Sequence, residues 1–267
     1  MASGRIRVFA LLGDPVLHSL SPAMHNAAFR ALGLPAQYVP IRCSARDLPG
    51  LLGGLARSGG GGNITTPHKE LAARLVQDTS DTAREVGACN TFWRHAERVR
   101  GDNTDVVGIS DALRELGVEG GRWLVAGTGG AARAAIVAAR RSGASVAIRS
   151  RDPVRAEQFA EWAMGRGVAL VDSDCCDVMI NATPLGLRHG DPPPIPDGAA
   201  SGADVALDMV YARGGTPWIA ACRARGLRAA DGRAMLVAQG VASFQRWFPE
   251  VTPPREIMRA AVNAALR

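Results

Sequence analysis

The stretch RWLVAGTGGAARAAIVAARRSGASVAIRSR, residues 122–151, decides the fold. A β-rich run from Trp123 to Ala126 enters the turn Gly127-Thr-Gly129-Gly-Ala-Ala132, an Ala-rich helical stretch follows to about Arg141, and a second β-rich run ends near Ile148. Strand, glycine turn, helix and strand in that order open a dinucleotide-binding unit. Glycines let the backbone approach a pyrophosphate, whose charge is stabilised at the positive N-terminus of the helix. The candidate contacts are therefore Gly127, Gly129, Gly130 and Ala131. At the end of the second strand, where NAD-binding units place an Asp or Glu for the ribose 2′-hydroxyl, this chain reads Ile148-Arg149-Ser150-Arg151, and Asp152 before Pro153 reads as the next helix cap. Two guanidiniums and a hydroxyl at Arg149, Ser150 and Arg151 suit the 2′-phosphate of NADP. The plainer alternatives are a merely tight turn and arginines solvated on a loop.

Outward from this unit the same alternation continues, with strands expected at Ile6 to Leu12, Gln37 to Arg42, Gly62 to Thr65, Thr91 to Arg94, Ser145 to Ile148, Val178 to Asn181, Val205 to Met209 and Leu227 to Ala230. Helical patterns fit between them, and there is no repeat of fixed period, so the class is α/β. Ser21 before Pro22 reads as a helix cap, and the segment GDPPPIPDG, residues 190–198, as a loop. The dinucleotide unit begins only after about 120 residues that carry their own α/β pattern, so a substrate domain is expected to precede it.

Composition narrows the function further. The chain has 267 residues, 47% hydrophobic and 21% charged, enough for a packed core. Its apolar runs reach only about five to seven residues, far short of the roughly 18 to 20 of a membrane helix. The stretch VFALL near the start is stopped by Gly13, Asp14 and Pro15, too early for a secretory signal, so a cytoplasmic protein is expected. Five scattered cysteines read as reduced thiols. The net charge of +6 comes from arginines spread along the chain, without a basic block, which argues against a nucleic-acid partner. Of the 31 basic side chains, 30 are Arg and one, Lys69, is Lys. An ammonium can give up its proton where a guanidinium cannot, which nominates Lys69 for proton chemistry; a lysine surviving by chance is the alternative.

Polar clusters stand at the ends of the expected strands: His18-Ser-Leu-Ser-Pro22, Asn63-Ile-Thr-Thr-Pro-His-Lys69, Gly87-Ala-Cys-Asn-Thr91 and Gly101-Asp-Asn-Thr-Asp105. With the later Asn181-Ala-Thr-Pro-Leu-Gly186, Asp208-Met-Val-Tyr211 and Asp231-Gly-Arg-Ala-Met-Leu-Val-Ala-Gln239, these motifs in this order resemble the shikimate dehydrogenase family from about residue 8 to 260. The resemblance implies NADPH-dependent reduction of 3-dehydroshikimate to shikimate, with Lys69 and Asp105 as the catalytic pair. The local chemistry agrees: Thr66 can cap a helix starting at Pro67, placing Lys69 in a first turn where the dipole disfavours a cation, while Asp105 favours it. The resemblance further implies substrate contacts from Ser19, Ser21, Thr65, Asn90, Tyr211 and Gln239, although Ser21 could be a helix cap only. Thr183, Met209, Gly232 and Met235 match cofactor-binding positions, and no metal is expected at His18, His25 or His68. Ile148 replaces a family Asn, and Leu187 replaces a frequent Met.

The expected architecture is a substrate-binding domain over residues 1–104, joined by returning helices at 235–267, and a Rossmann-type NADP-binding domain over 105–234, facing each other across a cleft. A monomer or homodimer is expected. Alternatives are a quinate or aminoshikimate dehydrogenase of the same family, or a catalytically idle NADP-binding sensor protein.

Overall fold

A computed structural model describes residues 5–188 and 190–266. The chain forms two compact units, one of residues up to Asp105 with Leu236–Ala265, the other of Val106–Met235.

In the first unit the elements are β1 (Arg7–Gly13), α1 (Ser21–Ala31), β2 (Ala36–Arg42), α2 (Leu48–Arg57), β3 (Gly61–Ile64), α3 (Lys69–Leu75), β4 (Asp78–Thr79), α4 (Asp81–Val86), β5 (Thr91–His95) and β6 (Arg98–Asp102). The second unit holds α5 (Asp105–Glu115, leaving the first unit), β7 (Arg122–Ala126), α6 (Gly130–Arg141), β8 (Ser145–Arg149), α7 (Pro153–Met164), β9 (Val178–Asn181), β10 (Val205–Asp208), α8 (Pro217–Ala224) and β11 (Arg228–Ala230). The chain then returns to the first unit through α9 (Arg233–Trp247) and α10 (Arg255–Ala265).

The first unit is built on a mixed six-stranded sheet in the order β2-β1-β3-β5-β6-β4. Its central strand β1 pairs in parallel with both β2 and β3. Alternation along β1 sends Ala10 and Leu12 to an apolar cluster with Leu48, Leu52, Ile64, Cys89 and Phe92. The neighbouring Phe9 stacks instead against Phe29, Trp247 and Phe248, so an aromatic layer fixes α1 and α9 on the other side. β4 and β6 escape the sequence reading. β6 pairs antiparallel with β5, and its sequence, Arg98-Val-Arg-Gly-Asp102, is mostly charged because its outer half faces solvent.

The second unit carries a fully parallel five-stranded sheet in the order β11-β10-β9-β7-β8. An isolated parallel bridge, Val146 to Leu170, continues it beyond β8. Counting that bridge as a vestigial strand, the order is that of a doubly wound dinucleotide-binding sheet, reversing between β7 and β9. Every residue of β9 and β10 is buried, as expected for strands covered on both faces.

Two expected caps are corrected. Ser21 does not cap α1: Leu20, already near helical dihedrals, precedes it, and the Ser19 hydroxyl accepts the Ser21 N–H at 3.2 Å. Thr66 does not cap α3 either, because the helix starts at Lys69, after a cis Thr66–Pro67 peptide, with His68 at its N-cap. Lys69 nevertheless opens the first turn. The cap expected at Asp152 is present, its carboxylate accepting from the N–H groups of Val154 and Arg155.

Candidate active site

In the first unit the site is assembled at the carboxyl ends of β1 and β3. Thr65 follows β3 directly, its N–H donating to the Leu12 carbonyl at 2.9 Å, and Asp14 N–H donates back to the Thr66 carbonyl at 3.0 Å. These two bonds bring the loop carrying Ser19 and Ser21 against the loop that leads to Lys69. The closeness is tight enough that a side chain at Gly13 would meet the Thr65 methyl at 2.4 Å.

Lys69 and Asp105 meet: Nζ lies 2.6 Å from Oδ2, and the two side chains are only 18% and 6% exposed. By contrast the Arg42–Asp14 pair is 73% and 41% exposed. An exposed pair contributes about 0–1 kcal/mol, whereas breaking a buried one costs about 3–5 kcal/mol, and keeping one is rarely the most stable solution. Such a pair points to chemistry rather than to stability. Asp105 is fixed from three directions: its N–H donates to Asn103 Oδ1, Asn90 Nδ2 donates to its Oδ1 at 2.8 Å, and its place in the first turn of α5 favours its negative charge. Lys69 has no other partner among the described residues, so two of its three N–H groups remain for a ligand.

Asn90 is held as firmly. Its backbone N–H donates to the Asp102 carbonyl, its carbonyl accepts from Ile64 N–H, and its side-chain oxygen accepts from the N–H and hydroxyl of Thr104. Gln239 arrives on α9 and is 8% exposed, with the Thr104 hydroxyl 3.5 Å from its Oε1. The Asp102 carboxylate accepts from Ser80, from Asn103 N–H and from Arg246 Nε, which anchors the turn ahead of Asp105. Asn63, Thr104 and Ser243 belong to the same buried cluster and escape the sequence reading. Asn63 and Thr104 lie inside quoted polar motifs, a signal that could have singled them out. Ser243 sits on an apolar helix with no such signal. Tyr211, also expected to touch substrate, lies in the second unit three residues after Asp208.

In the second unit Gly127 follows β7 with φ of +115°, a conformation that side chains rarely adopt, and a Cβ there would approach the Ala182 carbonyl oxygen to 2.9 Å. The turn thus packs on the residue after β9, where the strand order reverses and doubly wound sheets bind nucleotides. Gly129 caps α6, whose first-turn N–H groups, Gly130 and Ala131 among them, have no acceptor within the helix, and a Cβ added to Gly129 would meet nothing within 4 Å. Arg149 and Arg151 are exposed, and neither forms an ion pair among the described residues; the nearby Asp152 carboxylate is committed to its cap. Open N–H groups and two uncommitted guanidiniums fit a phosphorylated dinucleotide.

Around this turn, Asp208 acts as a knot. Its carboxylate, fully buried, accepts from Asn181 Nδ2 at 2.8 Å, Val210 N–H at 2.9 Å and the Thr216 hydroxyl at 2.7 Å. Burial pushes its pKa up to about 6 in spite of these donors. Asn181 in turn accepts from the N–H and hydroxyl of Thr183, so the loops carrying Thr183 and Met209 are set by one carboxylate. Gly232 N–H donates to the Val210 carbonyl, and a Cβ at Gly232 would strike the Met209 carbonyl at 2.4 Å. The 8%-exposed Met235 follows one turn into α9.

Comparison with known proteins identifies the family. Residues 11–92 match the shikimate dehydrogenase substrate binding domain, and residues 232–262 the shikimate 5′-dehydrogenase C-terminal domain. The shikimate dehydrogenase (NADP(+)) of Methanothrix thermoacetophila is 40% identical, covering 98% of both chains. A crystal structure of a shikimate dehydrogenase in complex with NADP+ superposes with a TM-score of 0.90 at 29% identity, covering 98% of this chain and 96% of the other. The Thermus thermophilus shikimate 5-dehydrogenase, solved with NADP(H) and shikimate, has a TM-score of 0.86 at 34% identity, covering 97% of this chain and 99% of its own. With a buried lysine–aspartate pair in one unit, a glycine turn at the strand-order reversal in the other, and relatives matched over nearly their whole length, the chain belongs to the shikimate dehydrogenase family.

Proposed function

We propose that this chain is an NADP-dependent shikimate dehydrogenase, interconverting 3-dehydroshikimate and shikimate in aromatic amino-acid biosynthesis. The observation that carries the reading is the contact at 2.6 Å between the chain's sole lysine and Asp105. Relatives named for this activity and this cofactor support it.

Bound NADPH supplies a hydride to the ketone carbon. The carbonyl oxygen becomes a hydroxyl only if a proton reaches it, and Lys69 Nζ is the group that gives it. Asp105 holds the ammonium by one of its three N–H groups and directs the others, while Asn90 keeps the carboxylate from turning. In the oxidative direction neutral Lys69 takes the hydroxyl proton back. Ser19 and Ser21 receive the substrate carboxylate with neutral hydroxyls, and Thr65, Asn90, Gln239 and Tyr211 bind the rest of the substrate. Gly127, Gly129, Gly130 and Ala131 cradle the pyrophosphate, Arg149, Ser150 and Arg151 take the 2′-phosphate, and Thr183, Met209, Gly232 and Met235 border the nicotinamide. The substrate domain corresponds to the first unit and the NADP domain to the second. We place the enzyme in the cytoplasm, as a monomer or homodimer; among the described residues no helix is long and apolar enough to cross a membrane.

The experiment is Lys69→Arg beside Lys69→Ala. Arg keeps the charge beside Asp105 but does not release its proton, so both variants should lose about a hundredfold or more in kcat. NADP+ affinity should be unchanged in both. Near-normal turnover by the Arg variant would refute proton transfer by Lys69.

A further inference from the structure

Behind the Lys69–Asp105 pair lies a buried chain of hydrogen bonds whose direction can be worked out donor by donor. Asn90 must offer its NH2 group to the Asp105 carboxylate, so its oxygen faces Thr104, and the Thr104 hydroxyl donates to it at 3.1 Å. A hydroxyl has one proton, so Thr104 can only accept from its other neighbours, the Ser243 hydroxyl at 3.1 Å and, farther off, the Thr91 hydroxyl at 3.3 Å. At the far end Tyr38 donates to Asn63 Oδ1 at 2.9 Å, which turns the Asn63 NH2 group toward Thr91 at 2.8 Å and Ser243 at 2.9 Å. Thr91 then donates to Ser243 at 2.7 Å. One donor sequence runs from Tyr38 through Asn63, Thr91, Ser243, Thr104 and Asn90 to Asp105. Ser243 is its junction, fully buried, with the Gln239 carbonyl at 3.0 Å as the competing acceptor for its proton.

We propose that Ser243 is a positioning residue for the proton-transfer pair: its hydroxyl, donated to Thr104, holds Thr104 and Asn90 in the orientation that fixes the Asp105 carboxylate against Lys69. Without that hydroxyl, Thr104 keeps only the more distant Thr91 hydroxyl, at 3.3 Å, as a donor and can turn toward Gln239 Oε1, now 3.5 Å away, leaving Asn90 Oδ1 with the Thr104 N–H alone. Buried chains of this kind reinforce one another, so a break at the junction is felt at the end. The inference deepens the shikimate dehydrogenase reading and rests on it for its kinetic arm.

The test compares Ser243→Ala with Ser243→Cys, which keeps nearly the volume but has only a weak donor. In folded protein both should lower kcat for shikimate oxidation by about fivefold or more, displace its pH profile and leave the KM for NADP+ unchanged. A purely structural role would lower Tm and leave kcat and pH profile alone, and that result in the folded variants would overturn the proposal. A second readout does not depend on activity. The chain has one lysine, so protein labelled with 13C at the lysine ε-carbon shows one lysine resonance. That resonance should move in the folded variants. If the wild type does not turn over shikimate, the functional reading fails and the resonance decides: movement supports positioning by Ser243, and an unmoved resonance overturns it.

Discussion

Thirty arginines and one lysine share this chain, and the lysine lies 2.6 Å from Asp105, sheltered from solvent. The count alone leaves a proton-transfer role and a chance survivor about level; the motif around Lys69 and its buried contact with Asp105 favour the first. Arg149 carries a comparable argument for the cofactor. It is exposed at the end of β8 and has no ion pair among the described residues, so a 2′-phosphate would meet a guanidinium that needs no prior partner removed. Arg149→Ala should therefore raise the KM for NADP+ by about tenfold, equivalent to roughly 1.4 kcal/mol, and leave the KM for NAD+ nearly unchanged. Steady-state kinetics with both cofactors checks it; an equal loss with NAD+ would assign Arg149 another task. Ser243 was illegible for the opposite reason. Nothing in an apolar helical stretch distinguishes a serine at a polar junction from one facing solvent, and only the packing of α9 on the sheet reveals it.

At the scale of elements, the aromatic layer between α1 and α9 holds a titratable intruder. His25 is fully buried, stacks on Tyr38 at 4.7 Å and lies tilted against Trp247 at 4.8 Å, and neither ring nitrogen has a hydrogen-bond partner among the described residues. Burial depresses its pKa from 6.5 to about 3. The unfolded chain therefore binds a proton that the folded chain refuses between those values. Stability from this group is complete above about pH 6.5 and is lost as pH falls toward 3. His25→Phe keeps the aromatic contact and removes the titration. Wild type should lose about 2 kcal/mol more than the variant between pH 7 and pH 5, read from urea midpoints. Parallel pH profiles would show that His25 is not held neutral. The element boundaries show where local sequence signals stop. Ser21-Pro22 carries a capping signature, yet the Ser19 hydroxyl takes the first N–H instead; Pro67 suggests a helix start, yet α3 begins at Lys69 with His68 at its N-cap. β6 was hidden because an antiparallel partner lets its exposed half be charged, whereas the buried parallel strands β9 and β10 announced themselves by continuous apolar runs.

For the molecule as a whole, the division of labour follows from what each unit can hold. The first keeps a sheltered ion pair and a net of neutral hydroxyls and amides, suited to a small polyhydroxylated acid; the second keeps a glycine turn and uncommitted guanidiniums, suited to a phosphorylated dinucleotide. The fold class and the glycine unit were readable because hydrophobic alternation and turn chemistry are local. The buried hydrogen-bond chain was not, because it joins residues as far apart as Asn63 and Ser243, 180 positions along the sequence. Together the two units would serve one reaction, the NADP-dependent oxidation of shikimate. The direct measurement is the steady-state kcat/KM of the wild-type protein for shikimate and for quinate, each with NADP+ and with NAD+. Shikimate should be turned over with NADP+ preferred over NAD+ by at least about tenfold, and shikimate should be preferred over quinate. No shikimate turnover, or equal efficiency with NAD+, would contradict this expectation.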